Sequence, residues 1–194
     1  MRPALPSAAL HAARLVALVA TALASASAAQ AQVPGNYRGT TAQGQPLLVQ
    51  VSAAPGGGTE VTQIQAMYRT TCALGGPPID LASIVWGFFP IGADGSFDAS
   101  YLWDRDYFRT TGVFAADGSV AGDTTWSLAA VTRRAPHAGE VCAAPVLPWN
   151  GAFTGSNAIA GNLKAVAPLN PQFRLEQRFD RAGRLVERRV LPLR

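Results

Sequence analysis

The residues whose types and spacing best suit catalysis are two carboxylates, Asp104 and Asp106, in the stretch YLWDRDYF. On one continuous strand their side chains would share a face at a separation of about 7 Å. That separation suits the general acid and general base of a small hydrolase. Aromatic, strand-like sequence lies on both sides of Asp-Arg-Asp, so a polar tight turn is the competing interpretation. We favour the turn and keep the two carboxylates as candidates only.

Most other enzyme chemistry is disfavoured by what the sequence lacks. After residue 31 there is one histidine, His137, in the loop-like stretch RRAPHAGE, and it would have to be the base of any serine or cysteine triad. The sequence contains no G-x-S-x-G, no H-E-x-x-H and no glycine-rich phosphate loop. We therefore predict no metal, no cofactor, no recognisable catalytic motif and no specific nucleic-acid motif.

Aromatic side chains are the main candidates for ligand binding. The stretch PPIDLASIVWGFFPI at 77–91 is apolar almost throughout, and a second aromatic group follows in SFDASYLW. Such side chains could line a site for a small apolar or sugar ligand, although the same residues could form the hydrophobic core instead. The candidate ligand-binding residues are Trp86, Phe88, Phe89, Tyr101 and Trp103.

The end of the chain is basic. Residues 151–194 carry one lysine and seven arginines against three carboxylates, a net charge of +5, whereas residues 32–150 have a net charge of −3. A basic segment can hold an anionic surface, here a component of the cell envelope. The competing interpretation is a solvated hairpin fringed by charge. The candidate contact residues are Arg178, Arg181, Arg184, Arg188 and Arg189.

The beginning of the chain has the order of a secretory signal peptide. A basic leader precedes the apolar run LVALVATAL at 15–23, which is too short for a membrane span, and small residues follow. Ala29-Gln30-Ala31 fits the cleavage site, so we expect residues 1–31 to be removed, with Ala26-Ser27-Ala28 as the rival site. The protein would then be periplasmic or extracellular.

Two cysteines, Cys72 and Cys142, are present. In an oxidising compartment an even cysteine count indicates disulfides, so we predict a bond between them. Two buried free thiols are the alternative.

Short alternating segments predict an all-β fold in which these candidates lie. In PLLVQVSAA the apolar residues fall on one face, and similar segments recur between turn signals at short spacing. We expect residues 32–154 to form an antiparallel meander that closes into a small barrel or sandwich of about eight strands. The apolar stretch 77–91 is either a helical turn entering a strand or a strand buried on both faces.

The last 40 residues change in character, and residues 155–194 are interpreted as a linker and a basic C-terminal extension. The apolar spacing in FRLEQRFDRAGRLVERRVLPLR fits a hairpin and also one face of a helix. Gly183 weakens the helix, so the hairpin is favoured over 172–191.

The tetrapeptide Ala-Asp-Gly-Ser occurs twice, with Asp94 and Asp117 as its acidic residues. A pair of calcium loops would need further carboxylates at fixed offsets, which are missing. Asp-Gly suits a two-residue hairpin turn, which would pair Ala93 with Ser96 and Ala116 with Ser119 and place Phe114 opposite Ala121. Residues 88–131 would then be one meander.

Several of these features together resemble a group of small secreted bacterial β proteins of unknown function. The shared features are a G-x-Y-x-G-x-T-x-x-G opening at Gly35–Gly44, Asp-Gly-Ser hairpins at 94–97 and 117–122, and a late Cys-to-Trp strand at 142–149. The resemblance covers about residues 33–154 and implies the strand order and the disulfide, but no activity. Gly35-Asn36-Tyr37 also has a weak similarity to the opening of lipocalin-like barrels.

The sequence therefore favours a secreted or periplasmic binding or interaction module. The ligand would lie in the mouth of the barrel or against the stretch 77–91. The alternatives are a small carboxylate-dependent hydrolase and an envelope-associated structural protein held by its basic tail.

Overall fold

The protein is all-β, as predicted. The computed structural model describes residues 32–75, 78–103, 106–128, 141–155 and 173–192, and the predicted signal peptide, His137 and the linker at 156–172 lie outside them. The strands are β1 (Gly35–Thr41), β2 (Pro46–Ala53), β3 (Thr59–Cys72), β4 (Ile79–Pro90), β5 (Ser96–Trp103), β6 (Asp106–Phe114), β7 (Ser119–Leu128), β8 (Cys142–Gly155), β9 (Phe173–Phe179) and β10 (Leu185–Pro192). No helix in this part of the chain is long and apolar enough to cross a membrane.

The ten strands belong to one sheet in the order β10-β9-β4-β3-β2-β1-β8-β7-β6-β5. Neighbours are antiparallel except β4 and β9, which run parallel. The end of β3 also pairs with the start of β8, so the sheet closes part of a ring. Eight strands and a C-terminal hairpin are therefore present, consistent with a small barrel or sandwich.

One core fills the space inside this rolled sheet. Tyr68 on β3 stacks on Trp126 on β7 with ring centroids 6.2 Å apart, although these strands are not neighbours. Tyr101 on the edge strand β5 contacts Phe179 on β9 edge to face at 5.0 Å. The two halves of the sheet thus bury their apolar faces against each other, which provides most of the driving force for folding.

The disulfide between Cys72 and Cys142 is present, as predicted. The two cysteines are directly opposite each other where β3 meets β8, next to the pair of Thr71 with Ala143. Just beyond them, the backbone N–H of Ala73 donates to the carbonyl of Val141 at 3.0 Å. The bond therefore fastens the closure of the ring.

The C-terminal segment forms the favoured hairpin, β9 and β10. It is not an appendage, because β9 pairs with β4 and its residues Leu175 and Phe179 are buried in the core. The turn is stabilised by the carboxylate of Asp180, which accepts hydrogen bonds from the backbone N–H groups of Ala182 and Arg184. Apolar residues alternate in this segment because one face of the hairpin is buried against the rest of the sheet.

The apolar stretch 77–91 supplies strand β4 without a helical turn at its described residues, and this strand is not buried on both faces. Leu81 and Val85 point into the core, whereas Trp86 is half-buried on the outer face and Phe88 is 38% exposed there. Because β4 lies between β3 and β9, its backbone is paired on both sides although its outer face remains partly open.

The two Asp-Gly-Ser turns are structural, but their form differs from the prediction. Each is a three-residue loop closed one residue earlier, by Gly92 with Ser96 and by Ala115 with Ser119. The glycines of the two turns have φ of 80° and 82°, which fits a type I turn followed by a left-handed glycine.

The Asp side chain explains this choice of turn. The hydroxyl and the backbone N–H of Ser96 both donate to the carboxylate of Asp94, and these hydrogen bonds lower its pKa. The side chain of Asp94 therefore stabilises the loop through hydrogen bonds inside it. As a consequence of the earlier closure, Phe114 pairs with Val120 and not with Ala121.

The first of these turns is a corner and not a hairpin between neighbouring strands. It joins β4 to β5, which lie far apart in the sheet order. The meander therefore runs only from β5 to β8, and the prediction of one meander over 88–131 was wrong at its beginning.

The opening motif is also architectural. Tyr37 is buried, and its hydroxyl donates to the carbonyl of Val33 at 2.9 Å. Gly39 faces Gly151 across β1 and β8, where a Cβ would lie 2.0 Å from the carbonyl oxygen of Asn150. Gly44 has a φ of 72° in the turn after β1. Packing and backbone geometry therefore account for these residue types at these positions.

Candidate functional site

An open groove of about 760 Å³ is lined by the end of β4, by the corner that follows it and by residues of β5, β6 and β7. The residues from β4 and the corner are Pro90, Ile91 and Gly92. The volume falls in the range of small-molecule sites, roughly 300–1,000 Å³. The outer-face side chains on the strands are Asp98, Arg109, Thr111, Val113, Ala121 and Asp123.

Charged side chains line this groove beside apolar surface. The guanidinium of Arg109 donates to the carboxylate of Asp98 at 2.8 Å, and this hydrogen bond raises the pKa of Arg109. Asp123 is exposed on the neighbouring strand β7. Val113, which is more than half exposed, supplies apolar surface beside them. The groove thus has two carboxylates, one guanidinium and a hydrophobic floor.

Two glycines allow close packing beside the groove. The carbonyl of Thr111 accepts a hydrogen bond from the indole N–H of Trp149 at 3.1 Å. A Cβ on Gly122 would lie 2.0 Å from that same carbonyl oxygen, and one on Gly112 would lie 2.5 Å from the ring of Phe97. Any larger residue at these two positions would therefore clash with the backbone or with the core.

Two predicted ligand-binding residues, Trp86 and Phe88, lie together on the outer face of β4, where arginines of the hairpin cover them. Arg178 lies over the Trp86 ring at 5.8 Å, and Arg181 lies over the Phe88 ring at 4.1 Å. Such cation–π contacts attract the guanidinium groups to the faces of the rings. The structure thus brings together two groups of candidates that the sequence analysis kept apart.

The guanidinium of Arg181 also makes a bidentate ion pair with Glu60, at 3.0 and 3.1 Å. Glu60 is almost fully buried, so this pair ties the hairpin turn to the start of β3. Glu60 was not among the sequence candidates, because an acidic residue at the start of a strand usually faces solvent.

The other basic candidates have carboxylate partners on the hairpin itself or lie on its inner face. Arg184 pairs with Asp180 at 2.7 Å, and Arg189 pairs with Glu187. Arg188 lies directly opposite Gln177 and therefore on the inner face of β10. The positive charge of the hairpin is in this way partly compensated locally.

The remaining aromatic candidates are core residues or edge residues. Phe89 packs against the core near Phe179, at 6.5 Å between ring centroids, and Tyr101 is buried against the same ring. Trp103 ends β5, and its side chain lies outside the described part of the chain.

Of the two candidate carboxylates, Asp106 begins β6, and its backbone pairs with Trp103, the last residue of β5, across an antiparallel reversal. Asp104 and the side chain of Asp106 lie outside the described residues, and the hydrolase hypothesis stays a prediction.

The interior holds a network of three buried hydroxyl groups. The hydroxyl oxygen of Thr124 is 2.7 Å from those of both Tyr68 and Thr110. Burial raises the pKa of Tyr68 to about 12, which makes this phenol a poor acid or base at neutral pH. Among the residues that the structure describes, no group of three or more His, Cys, Asp or Glu side chains could hold a metal ion.

The groove is not visible in the sequence, because its residues come from several strands. Asp98, Arg109 and Asp123 are separated along the chain and carry no motif. Their common signal is that each lies at an outward position of an alternating strand, which becomes visible only when the register of β5, β6 and β7 is known.

No protein-family model matches the chain, and neither a curated protein nor a solved structure matches it. The resemblance to small secreted β proteins therefore stays a prediction, and the function has to be argued from the groove and its surroundings.

Proposed function

We propose that the protein is an exported binding module whose ligand lies in the groove between the end of β4 and the outer face of β5–β7. The observation that carries this proposal is the groove itself, about 760 Å³ in volume with charged groups above an apolar floor. Export is supported by the predicted signal peptide, and the disulfide is consistent with an oxidising compartment.

The chemistry of the groove favours a small polyol or sugar. Carboxylates such as Asp98 and Asp123 accept hydrogen bonds from hydroxyl groups, and the guanidinium of Arg109 donates to ring and hydroxyl oxygens. Val113 offers a surface for the apolar face of a sugar ring. A purely apolar ligand would have to desolvate these charges without compensation, which is costly.

The proposal can be tested by NMR titration of the oxidised protein with a panel of sugars, polyols and apolar ligands. We expect sugar-dependent shifts at backbone amides of Asp98, Thr111 and Asp123, and weaker binding in the Asp123→Ala variant. The control is Glu187→Gln, which also removes one negative charge but lies on the hairpin. If no ligand moves these amides, or if binding is equal in Asp123→Ala and the parent protein, the groove is not the binding site.

A second candidate function is contact with an anionic envelope component through the hairpin. Residues 173–192 carry six arginines and three carboxylates, a net charge of +3. The side chains of Arg178, Arg184 and Arg189 are 60%, 79% and 62% exposed. Binding to anionic vesicles should then fall steeply between low and moderate salt and fall further in Arg184→Gln. Binding that is insensitive to salt would exclude this mode.

A further inference from the structure

The two carboxylates in the groove on β5–β7 differ in their partners. Asp98 is paired, because the guanidinium of Arg109 donates to its carboxylate from Nε and from a terminal nitrogen, at 3.2 and 2.8 Å. Among the residues that the structure describes, no side chain forms an ion pair or a hydrogen bond with the carboxylate of Asp123. The hydroxyl of Thr111 on the neighbouring strand donates to the backbone carbonyl of Asp123 and not to its side chain.

The strands beside Asp123 bring no further positive charge to it. Asp123 is the only charged residue in the sequence of β7, and β8, which pairs with β7 on one side, contains no charged residue. On the other side of β7, Arg109 of β6 is bound to Asp98. The groove lining therefore carries two carboxylates and one guanidinium, a net charge of −1.

The strand register places the two carboxylates in one row across the outer face. Asp98 pairs with Thr111, and Thr111 in turn lies beside Asp123, since the preceding residue Thr110 pairs with Thr124. Adjacent strands are about 4.8 Å apart, so the Cα atoms of Asp98 and Asp123 are separated by about 10 Å. One sugar ring with its substituents can therefore contact both carboxylates at once.

We propose that the ligand of this groove is a sugar with a free amino group, whose ammonium group binds the carboxylate of Asp123. This inference rests on the proposed function, because it specifies the ligand of the same groove. An ammonium group has three N–H donors, and its hydrogen bonds to a carboxylate are stronger than those of a neutral hydroxyl. The hydroxyl groups at the other end of the ring bind Asp98 and Arg109, and Val113 contacts the apolar face of the ring.

The charge of the groove distinguishes this ligand from other sugars. A neutral sugar forms hydrogen bonds with the same residues but leaves the net charge of −1 uncompensated. An acidic sugar would bring a third carboxylate into the groove, where the guanidinium of Arg109 is already bound to Asp98, and like charges that meet at a binding surface repel each other. The expected order of affinity is therefore amino sugar, neutral sugar, acidic sugar.

The experiment is an NMR titration of the oxidised protein with glucosamine, glucose and glucuronate, followed at the backbone amides of the groove. We expect glucosamine to bind about three- to fivefold more tightly than glucose, which is the gain that an exposed ion pair provides. Glucuronate should bind most weakly. The preference for glucosamine should decrease at high salt, because salt screens the attraction between exposed charges, whereas the affinity for glucose should stay the same.

The Asp123→Asn variant removes the negative charge and keeps an oxygen that accepts hydrogen bonds. It should keep the melting temperature of the parent protein, since the side chain of Asp123 is exposed and has no protein partner among the described residues. It should bind glucose as the parent protein does and should bind glucosamine no more tightly than glucose. Glu187→Gln is the matched control, because it removes one negative charge on the hairpin and should keep the preference for glucosamine.

Two results would overturn this inference and leave the groove as a sugar site. One is equal binding of glucosamine and glucose to the parent protein. The other is a preference for glucosamine that persists in Asp123→Asn, because the ammonium group would then bind elsewhere. If none of the three sugars moves the amides of the groove, the proposed function fails together with the inference, so the two failures can be told apart.

Discussion

Removing the disulfide should lower stability more than any single hydrogen bond of the sheet. Cys72 and Cys142 are separated by 70 residues in sequence, and the cross-link removes the entropy of closing a loop of this length from the unfolded chain. The loop-entropy relation gives about 4 kcal/mol at 25 °C for such a loop. We therefore expect the variant with both Cys72→Ala and Cys142→Ala to lose about 4 kcal/mol of unfolding free energy.

The folded state should nevertheless survive this change. β3 and β8 pair with each other over a short contact at Thr71 and Cys72, whereas β8 is also held along its length by β1 and β7. The cysteines are small, so alanine leaves little empty volume. The loss should come mainly from the larger number of conformations that the unfolded chain can adopt.

Equilibrium unfolding in urea, followed by tryptophan fluorescence, measures both parts of this argument. The unfolding midpoint should fall by about 2 M, taking a typical slope of about 2 kcal/mol per molar urea. The slope itself should rise, because an unfolded chain without the cross-link exposes more surface. The parent protein under reducing conditions is the control and should match the alanine variant.

Two results would refute the reasoning. If the alanine variant lies within about 1 kcal/mol of the oxidised protein, the cross-link does not act through the unfolded chain as the loop relation requires. If the reduced parent protein is much more stable than the variant, the cysteine side chains contribute through packing, and the loss cannot be assigned to the bond.

Three further predictions concern single side chains. Burial raises the pKa of Tyr68 to about 12, so its contribution to stability is complete below pH 10 and is lost between about pH 10 and pH 12. Between pH 9 and pH 11 the unfolding free energy of the parent protein should therefore fall by about 1 kcal/mol more than that of Tyr68→Phe. Gly122→Ala should lower the unfolding free energy measured in urea by about 2–3 kcal/mol, because its Cβ would meet a backbone oxygen at 2.0 Å. The control is Gly56→Ala, which has open space around it and should change the unfolding free energy by less than about 0.5 kcal/mol. A double-mutant cycle with Glu60→Gln and Arg181→Ala should show a coupling of about 1 kcal/mol, and no coupling would show that the bidentate pair does not tie the hairpin to β3.

The fold was largely predictable because strands leave a local signal. Alternation marked most of the strands, and Asp-Gly marked two of the turns. The parallel pairing of β4 with β9 was not predictable, since it joins segments that are far apart in the chain, and the alternation of β9 does not say which strand it will meet. The corner at Asp94 was missed for the same reason, as its sequence is that of a hairpin turn while its strands diverge.

The candidate sites were less predictable because sheet surfaces are assembled from several strands. Trp86 and Arg178 belonged to separate hypotheses until the register placed them opposite each other. Asp98 and Asp123 carry no motif, and only their outward positions on alternating strands set them apart. A sequence shows which residues alternate along a strand. It does not show which outward positions of different strands become neighbours in the sheet.

The core contains two groups of buried polar side chains that differ in their hydrogen bonding. Three other buried polar side chains, Tyr68, Thr110 and Thr124, lie in the same core and satisfy one another through hydroxyl contacts of 2.7 Å. The fold can therefore pair polar groups in its interior when they serve architecture. Gln177 and Ser83 are equally buried and are left without such partners, although apolar residues would fill these positions at lower cost. The two buried groups therefore differ in how far the chain itself satisfies their polar atoms.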